Sequence, residues 1–286
     1  VTGVEVITAA DPLRSRLDAE RAAGRRVGLV PTMGFLHAGH ASLIDAAVAG
    51  NDVTVVSVFV NPLQFAPDED LTDYPRDHEA DMQVCGRHGA DLVFAPSVTQ
   101  MYPEQDLPEV EVGDLASRFE GASRPTHFGG VARAVSRLFD IAGPCRAYFG
   151  EKDFQQLTVV RQMVADRGIP VEVVGCPTVR ERDGLALSSR NAYLTAVERR
   201  EAPVLFRALS AGAAAVADGE ADPDTVSTLM AEIVGSATTG ELDYAAVIDP
   251  DTFEVPPRIA RAGVRLLVAC RFGRARLIDN MAAVSA

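Results

Sequence analysis

"DVTVVSVFVNP", residues 52–62, decides the fold. From Val53 to Val60 every residue but Ser57 is β-branched or aromatic. A strand with one wet face alternates apolar and polar side chains. This one does not, so it reads as a central parallel strand buried on both faces. Parallel neighbours require long crossovers, usually helical.

Working outward, further strand-like runs follow at "RRVGLVPT" (25–32), "ADLVFAP" (90–96), "RAYFGEKD" (146–153) and "IPVEVVGCPTV" (169–179). Helical patterns lie between them at about 11–23, 40–50, 77–89, 127–142 and 153–167. Gly143-Pro144 stops the fourth. Strand–helix alternation of this length indicates a Rossmann-like, doubly wound α/β sheet with right-handed crossovers. After about residue 180 the pattern changes. Thr195 and Glu198 form a capping box, and Asp222-Pro223 opens another helix. Three strand-like runs follow: "ELDYAAVIDP", "GVRLLVACRFG" and "ARLIDN". The expected organisation is a nucleotide-binding domain over residues 1–180 and a smaller α+β domain over 181–286, with the boundary near 180–190.

The 286 residues suit one large or two moderate domains, and 47% hydrophobic residues can bury a core without disulfides. A net charge of -13 argues against non-specific binding to nucleic acid or anionic membrane. A few local cations can still hold an anionic ligand. Cys85, Cys145, Cys176 and Cys270 lack zinc-type spacing and read as reduced thiols of a cytoplasmic protein. The opening "VTGVEVITAADPLRSRL" has no basic segment followed by an apolar core, so no signal peptide is expected there, and no apolar run is long enough to span a bilayer.

Ligands of open α/β sheets bind beyond the carboxyl ends of the strands. Four polar clusters fall there. In "PTMGFLHAGH", Gly34 and Gly39 permit close backbone approach, and His40 lies at or near a helix start. Free N–H groups and partial positive charge at that end favour phosphate. His37 and His40 suit phosphate contact, structural histidines or metal ligation, and local sequence leans to phosphate. Neither G-x-G-x-x-G nor the Walker pattern is present. In "VNPLQF", Gln64 offers donors and an acceptor to a small hydroxy acid, or is a turn amide bonding its own backbone. In "FGEKDFQQL", Lys152 and Asp153 suit phosphate and ribose, or a solvated charge and a helix cap. In "LSSRNAYL", Ser188, Ser189 and Arg190 suit phosphate, or a cap or loop.

"PTMGFLHAGH", "FVNPLQF", "RPTHFGGV", "FGEKDFQQ" and "LSSRNAYL", in this order and at these separations, closely resemble the pantoate–β-alanine ligase family. The likeness is strong over about residues 25–195 and looser to about 281, for example in "RLLVACRFGRARLIDN". H-x-G-H also resembles the H-I-G-H signature of a wider nucleotidyltransferase superfamily, with "LSSR" in place of its K-M-S-K-S loop.

The resemblance implies a two-step reaction of pantoate, ATP with Mg2+, and β-alanine through pantoyl adenylate, usually on a homodimer with a small C-terminal lid. It implies catalytic roles for His40, His37, Lys152 and Arg190, with a proton-donor role at His40. ATP would meet Pro31, Thr32, Met33, Gly34, His37, Gly39 and His40. It would also meet Gly150, Glu151, Lys152 and Asp153, with Val179 at the adenine and Leu187, Ser188, Ser189 and Arg190 over the phosphates. Met33, Gln64 and Gln156 would hold pantoate, and Gln64 also β-alanine. No metal ligand is assigned to the protein; magnesium would come with ATP. No nucleic-acid or membrane partner is expected.

Ala38, Leu63, Phe154 and Leu187 depart from the commoner Glu, Met, Tyr and Met, and Ala38 is expected to face away from ATP. His127 is expected in the first helical turn after a Thr126 cap. "DYPRDHEAD" (73–81) reads as a solvated loop and helix start. Other readings are a different nucleotidyltransferase, a nucleotide-binding regulator without turnover, or a metal hydrolase. The neutral Gln64 and Gln156 favour a small hydroxy acid over a phosphorylated acceptor, which would ask for more Arg or Lys.

Overall fold

The structure is a computed structural model describing residues 4–66, 71–103 and 110–285. The first three residues of the stretch read for a signal peptide lie outside that range. Close contacts divide the chain into two compact units. The first comprises Val1–Glu151 and Gln155–Pro177. The second comprises Lys152–Phe154 and Thr178–Ala286.

In the first unit, six strands are all parallel: β1 (Glu5–Ile7), β2 (Val27–Thr32), β3 (Val53–Val58), β4 (Leu92–Phe94), β5 (Cys145–Gly150) and β6 (Val171–Cys176). Their order is β1-β4-β3-β2-β5-β6. The chain steps from β2 through β3 to β4 in one direction, then places β5 and β6 on the other side of β2. The reversal at β2 makes a switch point, where loops part and leave a crevice. The sequence did not predict β1. It is three residues long, largely exposed and at the sheet edge.

The helices are α1 (Ala10–Ala22), α2 (Ala38–Gly50), α3 (His78–Arg87), the single turns α4 (Val98–Met101) and α5 (Glu120–Ser123), α6 (His127–Ala142) and α7 (Phe154–Arg167). The opening stretch explains the layering. Val53 to Ser57 are all buried. Val55 packs with Leu29, Leu92, Leu13 of α1 and Phe139 of α6. Val56 packs with Val30, Val93, Ile44 of α2 and Cys85 of α3. Successive strand residues point to opposite faces, so each face has its own helix-covered core.

The second unit packs α8 (Ala196–Glu201), α9 (Val204–Ala217) and α10 (Pro223–Val234) with an antiparallel sheet of β7 (Gly240–Ile248), β8 (Val264–Phe272) and β9 (Ala275–Ala283), in that order. Leu205, Leu209, Val226, Met230, Leu266 and Val268 form its core. The capping box is present: Glu198 Oε2 accepts from Thr195 N at 2.7 Å, and Thr195 Oγ1 accepts from Glu198 N at 3.4 Å. Asp222 caps α10 with Pro223 in its first turn. Among the described residues no helix is long and apolar enough to cross a membrane.

Candidate active site

The loop leaving β2 is built from backbone donors. Thr32 Oγ1 donates to Ser57 O (2.7 Å), stitching β2 to β3, and accepts from Gly34 N (3.2 Å). Gly34 and Phe35 then adopt left-handed backbone, φ 81° and 51°. Glycine does so freely; phenylalanine is strained there, by about 1 kcal/mol or more. Asp81 holds the turn. Its carboxylate, 2% exposed, accepts from Phe35 N (3.0 Å) and Leu36 N (2.7 Å). Two turn N–H groups without ladder partners need acceptors, and one carboxylate supplies both. The expected loop and helix start at 73–81 is present, with α3 capped by Asp77 and residues 76–80 exposed; the departure is Asp81, which turns inward.

His37 is the N-cap of α2, and His40 lies in its first turn. The two histidines cap reciprocally. His37 Nδ1 accepts from Gly39 N (3.1 Å), and His40 Nδ1 accepts from His37 N (3.3 Å). Their rings lie 4.1 Å apart. An Nδ1 that accepts carries no proton, so each neutral ring bears its N–H at Nε2. Ala38 is exposed.

Beyond β3, Asn61 to Gln64 make a 3-10 turn against α6. Gln64 is 9% exposed; its Nε2 reaches Met33 Sδ and its Oε1 accepts from Asn61 Nδ2 (3.3 Å). The Gln64 amide thus bonds the Asn61 side chain of its own turn rather than its own backbone, and also reaches Met33 in the β2 loop. Asn61 also donates to Gly130 O (3.0 Å) and accepts from Tyr102 OH (2.7 Å). Burial pushes the Tyr102 hydroxyl up, keeping it a donor. His127 Nδ1 lies 3.1 Å from Gln64 O, and Arg124 donates to the same oxygen (3.3 Å). Thr126 makes no side-chain cap, contrary to expectation; its backbone is already helical.

The adjacent glutamines of α7 divide. Gln155, 5% exposed, accepts from Glu120 N and donates to Leu115 O and Arg118 O. Gln156 is half-buried, and its side chain has no hydrogen-bond partner among the described residues.

Gly150 ends β5, and Glu151 to Asp153 form a 3-10 turn. Lys152 and Asp153 group with the second unit. Lys152 Nζ lies 3.3 Å from Asp153 Oδ1 with its side chain 18% exposed, so the solvated-charge reading of this lysine does not hold. Phe154 stacks on Phe253 (5.6 Å) and lies under the Arg265 guanidinium (4.1 Å). Val179 and Leu187 meet through Leu187 N to Val179 O (3.0 Å). Ser188 caps the 3-10 turn of Ser189 to Tyr193, accepting from Arg190 N (3.3 Å). Lys152, Ser188, Asn191 and Asp279 line one small cavity. Among the described residues, no three His, Cys, Asp or Glu side chains gather as a metal site.

Comparison with known proteins agrees along nearly the whole chain. Residues 5–282 match the family described as Pantoate-beta-alanine ligase. The pantothenate synthetase of Herpetosiphon aurantiacus is 46% identical over 97% of this chain and 99% of its own. The crystal structure of pantothenate synthetase from Thermus thermophilus superposes with TM-score 0.92 at 48% identity, covering 97% and 99% of the two chains. A Francisella tularensis pantoate-β-alanine ligase, complexed with beta-gamma ATP and β-alanine, gives 0.80 at 32% identity, covering 97% of each. The five motifs therefore sit in a fold shared with these enzymes, and the chain belongs to the pantoate-β-alanine ligase family.

Proposed function

We propose that this chain condenses pantoate with β-alanine to pantothenate in an ATP-dependent reaction through pantoyl adenylate. A pantoate carboxylate oxygen attacks the α-phosphorus. The bond from that phosphorus to its bridging oxygen breaks, and pyrophosphate leaves with the electron pair. The β-alanine amine then attacks the acyl carbon, the acyl–oxygen bond breaks, AMP leaves, and the amine proton passes to solvent. The first nucleophile is already ionised, so neither base nor enzyme nucleophile is needed. The protein's task is positioning and stabilisation of charge on phosphoryl oxygens.

One observation carries the reading: both histidines use Nδ1 to cap α2, which assigns an N–H donor to each Nε2 at a helix start. Such donors suit phosphate oxygens. In this proposal His37, His40, Lys152 and Arg190 act on phosphate, and the β2 loop, the β5 turn and the 187–190 segment bind ATP. Val179 meets the adenine, Met33, Gln64 and Gln156 hold pantoate, and Gln64 faces β-alanine. The Gln156 amide, which has no hydrogen-bond partner among the described residues, supports its choice over Gln155. Magnesium enters as the ion of ATP, since it is usually held by substrate phosphates with few protein ligands. When bound it neutralises phosphate charge. On the family resemblance the enzyme is a cytoplasmic homodimer, and sedimentation of the purified chain checks the dimer.

The test is product analysis. Steady release of AMP and pyrophosphate is expected only with pantoate and β-alanine both present, and labelled pyrophosphate is expected to exchange into ATP with pantoate alone. Steady ADP release refutes the adenylate route. His37→Ala, His40→Ala and Lys152→Ala are each expected to lose about 10²–10³ in turnover with folding retained. Near-normal turnover in all three refutes the assignment.

A further inference from the structure

The strand β9 carries two buried polar residues in succession. Asp279 and Asn280 are each 4% exposed. Consecutive strand residues face opposite ways, so both faces of an edge strand give core area to polar groups, which is costly unless each is fully bonded. Both are bonded, and to segments of the proposed ATP site. Asp279 takes the Arg180 guanidinium in a two-point pair, at 2.5 and 2.9 Å. Arg180 follows Val179 and bridges to Ala186, so this pair holds the stretch that leads to Ser188. Asn280 Nδ2 donates to the backbone carbonyl of Lys152 at 2.8 Å.

The orientation of that amide is set by its other end. Asn280 Oδ1 accepts from Arg265 Nε at 2.7 Å. An arginine nitrogen only donates, so the atom facing it is the oxygen, and the atom facing Lys152 is the donor its carbonyl requires. Arg265 also covers the ring of Phe154. The segment 152–154 is thus gripped at its first residue by Asn280 and at its third by Arg265 and Phe253. These contacts explain why three residues leave the first unit's grouping for the second.

We propose that Asn280 is a positioning residue for catalysis: it fixes the Lys152 backbone, and through it the direction of the ammonium, while its neighbour Asp279 fixes the Arg180 stretch. The inference rests on the phosphate role proposed for Lys152.

The test is a double-mutant cycle on the full-length enzyme, with Lys152→Ala, Asn280→Asp and the pair. Asn280→Asp keeps an acceptor for Arg265 but removes the donor and sets a carboxylate oxygen against the Lys152 carbonyl. The expected loss in kcat is on the order of 10²-fold, as for a misplacement of about 1 Å; the buried carboxylate facing a carbonyl also lowers the thermal transition, so turnover is measured at a temperature where the variant is fully folded. In the Lys152→Ala background the same change is expected to cost less than about twofold, because the group it positions is gone. A purely structural role predicts losses that multiply; that outcome, or Asn280→Asp turnover within twofold of the parent, overturns the inference. If Asn280→Asp does not fold, Asn280→Ser, too short to span both contacts, carries the same cycle. Near-normal turnover of Lys152→Ala overturns the phosphate reading itself, and the inference with it.

Discussion

Gly129 and Gly130 are neighbours in the first turn of α6, yet an added methyl is expected to act oppositely at the two. At Gly130 a Cβ would lie 2.6 Å from Gln64 N and closer still to the Leu63 carbonyl. Those atoms are backbone, so no side chain can swing away. The 3-10 turn must retreat by about 1 Å before the contact is tolerable, and inserting a methyl into such packing costs about 1–3 kcal/mol. Retreat also lengthens the bond from Asn61 to Gly130 O and withdraws Gln64 from Met33. At Gly129 a Cβ meets nothing within 4 Å. Gly129→Ala is therefore expected to stabilise by about 0.5–1 kcal/mol through helix propensity alone. The assay is paired: chemical denaturation for stability, and steady-state kinetics with pantoate varied at saturating ATP and β-alanine. Gly130→Ala is expected to lose stability and to raise the pantoate KM or lower kcat/KM on the order of 10²-fold, while Gly129→Ala keeps parental kinetics. A Gly130→Ala enzyme as stable as the parent, with unchanged pantoate kinetics, would falsify both the packing argument and the placing of Gln64.

Two further outcomes follow from single groups. Asp81→Ala leaves Phe35 N and Leu36 N without their acceptor, at about 1–3 kcal/mol each. It is expected to lower both stability and turnover, measured by denaturation and AMP release, and loss of neither refutes its role in shaping the histidine loop. Hydroxyl and backbone hydrogen bonds from Thr239 and Thr238 hold the Glu201 carboxyl down to about 2, below its usual 4.5. A depressed folded-state value contributes stability above about pH 4.5 that disappears as pH falls toward 2. Glu201→Gln is therefore expected to flatten the thermal transition's dependence on pH in that window; an unchanged slope counts against it.

The nearly unbroken apolar run at 53–60 announced a strand with two dry faces because burial on both sides leaves no place for a charged side chain. Thr195 with Glu198, and Asp222 with Pro223, marked helix starts because their bonds close within a few residues. His37 and His40 were visible by their spacing at a helix start, while their reciprocal capping bonds, though local, came only with the structure. The motif order carried the family. Tertiary structure alone decided what depends on distant partners. Gln155 and Gln156 are identical in type and adjacent, and only packing against Glu120 shows which one is engaged in structure. Asp81 crosses 46 positions to reach Phe35, and Asn280 crosses 128 to reach Lys152. Local chemistry is written in neighbours. A buried hydrogen bond between remote segments exists only once the chain has folded, when a lone donor and a lone acceptor are excluded from water together and must pair.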